Sequence, residues 1–92
     1  MTATEQSQLA RRLRYIIHCG LVEIRNLASV DGTSQRIHDL ADALEILPRY
    51  LEEATDEDVE IIRSVLVDYQ ARYPNSRDIL KYLDWHDVPD RY

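Results

Sequence analysis

From Thr2 to Ala28 the chain contains no proline and only one glycine, and Leu9, Leu13, Ile16, Gly20, Ile24 and Leu27 recur at steps of four and three. That spacing marks one face of a helix with 3.6 residues per turn. Ile17, Leu21 and Ala28 widen the same stripe. Thr2 and Glu5 have the spacing of a capping box, and Asp31-Gly32 supplies the stop. At 1.5 Å per residue such a helix is roughly 37 Å long. Its apolar face must be covered by whatever follows, so it is expected to act as the spine of the fold.

The remaining segments supply that cover. Thr33 is placed to cap a second helix, with Ile37, Leu40, Ala41, Leu44 and Leu47 on one face and Pro48 closing it. Residues 48–53 suit a single helical turn with Pro48 in the favoured first position. Thr55 opens a third helix whose buried side comprises Val59, Ile62, Val65, Leu66, Tyr69 and Tyr73, and Pro74-Asn75 ends it. Ser76 is expected to cap a last short helix carrying Ile79, Leu80 and Leu83, with residues 87–92 as a frayed tail. Ion pairs at helical spacing are expected between Glu45 and Arg49 and between Asp68 and Arg72. The reading is all-α: one domain over residues 1–92, a bundle of three main helices plus one or two short ones.

Composition agrees with this reading. The 92 residues are 45% hydrophobic and 30% charged, with two glycines and three prolines, a globular and helix-rich mixture. The formal charge is −6. Residues 1–46 carry five arginines against six acids and residues 47–92 six cations against eleven acids, so the second half holds most of the excess. A net negative field disfavours nucleic acid and favours a protein partner with a basic surface. Cys19 is the only cysteine, which excludes an intrachain disulfide. No apolar run is long enough for a membrane span or a signal peptide, so a cytoplasmic location is expected.

Candidate chemistry is sparse. His38 and Asp42 are four apart with Asp39 beside them, a spacing that lets side chains converge on one ion. A pair is not a complete site, and the other histidines are distant, so no metal or cofactor is expected. His18 and Cys19 are neighbours on a helix and point about 100° apart, which does not make a nucleophile and base pair. Phosphate-binding glycine loops and the common hydrolase and metalloprotease motifs are missing, so the expectation is a protein that is not an enzyme.

Two surface signals stand out. Glu52, Glu53, Asp56, Glu57, Asp58 and Glu60 put six carboxylates in nine residues around a helix start. Some cap the helix, and the rest concentrate negative potential. The aromatic residues are six tyrosines and one tryptophan with no phenylalanine, and Tyr69, Tyr73, Tyr82 and Trp85 cluster late in the chain, where they could anchor an interface or close the core. Arg11, Arg12, Arg14 and Arg25 give the first helix a basic stretch, the alternative surface for a nucleic-acid-associated regulator or for an acidic partner.

The stretch LRYIIHCGLVEIRNLA and, after a glycine turn, QRIHDLADALEILPRYL resemble small bacterial helical proteins built around similar LVEIR and DLADA segments, over roughly residues 13–51. The resemblance implies a compact bacterial helical domain and carries no activity, ligand or site. The functional expectation is a non-enzymatic interaction module, such as an immunity, toxin-neutralising or inhibitor protein, acting through its acidic, tyrosine-rich surface. Self-association into a homodimer is a further expectation, and a small dimeric enzyme or metal-binding protein the remaining alternative.

Overall fold

The computed structural model describes residues 1–92 and is all-α. Helix α1 (Ala3–Leu27), α2 (Ser34–Glu45) and α3 (Asp56–Arg72) are joined by short connections, with 3-10 turns at Leu47–Tyr50 and Leu80–Leu83. Helix α1 sets the long dimension of a molecule measuring 44 × 27 × 19 Å. No helix is long and apolar enough to cross a membrane.

Both long helices start as the sequence leads one to expect. Thr2 Oγ1 accepts from the Glu5 amide while Glu5 Oε1 accepts from the Thr2 amide, and Thr55 and Asp58 repeat the exchange at α3. Two backbone donors per helix start are thereby satisfied. Thr33 behaves differently. It occupies the N-cap position of α2 but makes no cap hydrogen bond; its hydroxyl instead donates to the carbonyls of Leu27 and Val30, at 2.7 and 2.8 Å. The side chain expected to open α2 therefore closes α1. Gly32, at φ +80°, supplies the left-handed residue that reverses the chain between them.

Helix α2 runs back along α1, so that Gly20 lies under the end of the Leu44 side chain, and Gln6 of α1 reaches the carbonyls of Tyr50 and Leu51 at 3.0 and 3.3 Å. Helix α3 turns back again along α2, placing Tyr69 and Tyr73 against Arg36 and Asp39. One core joins Leu9, Leu13 and Ile16 of α1, Leu40 and Leu44 of α2, Leu47, and Ile62 and Leu66 of α3.

The chain departs from expectation after α3. Ser76 caps nothing: its hydroxyl donates to the Tyr73 carbonyl at 2.6 Å and accepts from the Gln70 amide at 3.1 Å, which ties off α3. Ile79, Tyr82 and Leu83 are buried by one 3-10 turn rather than a helix. Beyond it there is no regular structure, yet where a frayed tail is expected Val88 is 4% exposed and packs into the core. Arg11 pairs with Asp90 at 2.6 Å, and Tyr92 lies against the rings of Tyr15 and His18. The expected Glu45–Arg49 and Asp68–Arg72 pairs do not form; Arg72 turns instead to Asp39, at 3.4 Å.

Candidate functional site

Because α1 and α3 run the same way, their N-termini share one end of the molecule. Between them and the segment around Leu83 to His86 lies a groove of about 440 Å³. Leu9, Val59 and Leu83 provide apolar lining, and Glu5, Asp56, Glu60 and Asp84 provide carboxylates. Its arginines are already engaged. Arg63 makes two hydrogen bonds of 2.8 Å to the Asp84 carboxylate, and this pairing lowers the Asp84 pKa and raises that of Arg63. Arg12 donates to the Trp85 carbonyl at 3.0 Å and lies 3.1 Å from His86 Nδ1.

The acidic segment follows from the backbone around Thr55. Asp58 is spent on the capping box, and Glu5 is held below the usual carboxylate range by its hydrogen bonds with Thr2. Glu52, Glu53, Asp56, Glu57 and Glu60 are exposed. The ion pairs of the molecule engage Glu23, Asp39, Asp42, Asp84 and Asp90, and none of the six carboxylates between Glu52 and Glu60. No ion pair takes up these carboxylates, so much of their negative potential remains at this end, with Arg63 close enough to feel the charge of Glu60.

The aromatic residues do not join that surface as a group. Tyr69 is 2% exposed and Tyr82 5%, so both are core residues and unavailable as surface anchors. Tyr73 is half-buried, and its hydroxyl donates to Asp39. Trp85, 47% exposed and stacked on Tyr82 with centroids 5.2 Å apart, presents a ring to solvent, and its chain neighbours Asp84 and His86, though not Trp85 itself, line the groove. The basic stretch of α1 is likewise divided. Arg11 and Arg12 are bound to the C-terminal segment, while Arg14 and Arg25 stay exposed.

A second polar centre lies where α2 meets α3. Arg36 bonds Glu23 at 2.7 Å and the Tyr69 hydroxyl at 3.3 Å, tying all three helices together. One turn along, Asp39 is 9% exposed and accepts from Tyr73 and from Gln35, the latter at 2.9 Å. These hydrogen bonds, Tyr73's first, hold its carboxyl below the ordinary range, and the same bond raises the Tyr73 phenol. His38 Nδ1 stands 3.4 Å from Asp42 Oδ2 and 3.7 Å from Asp39 Oδ1. Cys19 is buried, and His18 faces Tyr92.

Sequence reasoning singles out Arg12 only as part of the basic stretch of α1, and the groove's Arg63, Asp84 and His86 escape it, because pairs such as Arg63–Asp84 join positions with no shared helical spacing. The Gln35–Asp39 bond, at i and i+4, is the part that spacing could have revealed. No family model matches the chain, and neither a curated protein nor a solved structure matches it.

Proposed function

We propose that the protein is a non-enzymatic interaction module of a bacterial cytoplasm that docks a basic, partly apolar segment of a protein partner against its acidic end. An immunity, toxin-neutralising or inhibitor protein would act in this way. The observation that carries the reading is the set of exposed carboxylates Glu52, Glu53, Asp56, Glu57 and Glu60, none of them in an ion pair within the chain, beside a groove with apolar lining. Long-range attraction would speed the encounter, and apolar contact in the groove would retain the partner. Trp85 is exposed between Asp84 and His86, which line the groove, and would anchor a partner that extends past its rim. Tyr69, Tyr73 and Tyr82 act behind it as structure.

An arginine-rich amphipathic peptide serves as the probe, titrated at two salt concentrations. Saturable one-to-one binding is expected, weakened by salt, weakened about tenfold or more by combined Asp56→Asn, Glu57→Gln and Glu60→Gln substitution, and weakened by Trp85→Ala. Binding that ignores both sets of substitutions would sink the proposal, as would a salt-resistant dimer that closes the groove in light scattering.

A further inference from the structure

We propose that His38, Asp39 and Asp42 form a binding site for a divalent transition ion of the zinc class, on the face of α2 next to α3. Three donor atoms, one from each residue, lie within 4.8 Å of one another. Zinc ligands bound at about 2.0–2.2 Å stand about 3.3–3.6 Å apart at the corners of a tetrahedron. The His38–Asp42 and His38–Asp39 separations, 3.4 and 3.7 Å, are already close to that spacing. The remaining edge closes by a small rotation of Asp42, whose side chain is 64% exposed and bonded to nothing else.

What distinguishes this trio from an ordinary charged helix face is the preparation of its central member. Asp39 is almost buried, and its carboxylate is oriented before any ion arrives: Gln35 donates to Oδ1, Tyr73 donates to Oδ2, and Arg72 stands 3.4 Å from Oδ2. The oxygen that faces His38 is therefore the one carrying only a single donor, and its second lone pair is available. Such outer hydrogen bonds fix the direction of a metal-binding carboxylate and are made here by residues of two helices. Arg72 neutralises part of the charge on the far oxygen, which leaves the imidazole to shape the preference. One imidazole with two carboxylates suits zinc, cobalt or nickel; calcium and magnesium prefer sites built from oxygen alone. Asp68 of α3 lines the neighbouring groove of about 240 Å³ with Asp39 and Asp42, so solvent reaches the open side of the site.

The metal-stripped full chain titrated with zinc chloride by calorimetry, and with cobalt by visible absorption, tests this. One equivalent is expected to bind saturably in the micromolar range, with cobalt bands that report nitrogen and oxygen ligands. His38→Ala and Asp42→Asn, both at exposed positions, are expected to keep the helical circular dichroism and to weaken binding at least about tenfold; Tyr73→Phe, which touches no ligand atom, is expected to weaken it about tenfold through Asp39. His86→Ala, at the other end of the molecule, leaves the affinity unchanged. Failure to saturate at millimolar zinc overturns the proposal, and so does binding that survives both ligand substitutions. The titration involves no protein partner, so its outcome is independent of the docking reading.

Discussion

The Tyr73 hydroxyl and the Asp39 carboxylate hold each other in opposite protonation states, and the signs lead to a defined pH window. A carboxyl whose folded pKa is depressed adds stability above its unfolded value, about 3.9, and loses that contribution as pH falls through the folded value. A phenol whose folded pKa is raised adds stability below about 10 and loses it as pH rises through the folded value. The urea midpoint should thus fall at both extremes, and Tyr73→Phe should flatten both limbs. Asp84, depressed by Arg63, will keep part of the acid limb in that variant. A Tyr73→Phe profile that superimposes on the wild type would disprove the coupling. Tyr69 and Trp85 separate the two roles available to aromatic residues here. Tyr69→Ala should cost about 3–5 kcal/mol of stability, whereas Trp85→Ala should cost about 0.5–1.5 kcal/mol from the lost stacking on Tyr82. Equal costs in chemical denaturation would contradict this division. Helical spacing already puts Tyr69 on the buried side of α3, whereas Trp85 lies beyond any periodic segment and its place depends on where the chain goes after Pro74.

At the scale of elements, what was legible is what spacing encodes. Helices α1 and α3, their caps at Thr2 and Thr55, and the apolar stripe Leu9-Leu13-Ile16 follow from periods and cap chemistry acting within a few residues. Thr33 and Ser76 depart from expectation because a hydroxyl at a helix boundary can serve the helix on either side, and tertiary position decides which. For the candidate site, the acidic run could be read directly and its groove could not, since the groove exists only once α1 and α3 run the same way. Gly20 illustrates the packing that fixes this arrangement. A Cβ at Gly20 would overlap the end of the Leu44 side chain at Cδ1. Gly20→Ala gains about 1 kcal/mol of helix propensity but overpacks the α1–α2 contact at a cost of about 1–3 kcal/mol. Net destabilisation is expected, and it should shrink or reverse in a Leu44→Ala background. Additivity in that double-mutant cycle would show that the two side chains do not compete for the same space. Arg36 makes the corresponding polar joint: Arg36→Met should cost about 1–3 kcal/mol by leaving Glu23 and the Tyr69 hydroxyl without their partner, measured by thermal or urea unfolding.

Across the whole molecule, opposite ends carry different kinds of chemistry. The N-termini of α1 and α3, with the acidic segment, form one pole rich in carboxylates. The His38–Asp39–Asp42 group sits toward the other end of α2, where Tyr73 and Arg72 at the close of α3 support it. A partner and an ion could therefore be held together without competing for atoms. The C-terminal segment belongs to this scale as well, because Arg12 meets Trp85 and His86 across separations of 73 and 74 residues. Helical hairpins assemble from nearby residues, but this closure must gather nearly the whole chain, with an entropic cost that grows with loop length. It is expected to form last on refolding and to open first in hydrogen exchange, since no regular backbone ladder protects it. The most accessible excited state expected of the protein is then one with α1 still helical and its last wrapping undone, and in that state Arg11 loses its Asp90 partner while the half-buried Arg12, Tyr15 and His18 become fully exposed to water. Arg14 and Arg25 face solvent in the resting shape, so it is only the Arg11–Arg12 part of the basic face whose availability would follow the opening of this segment.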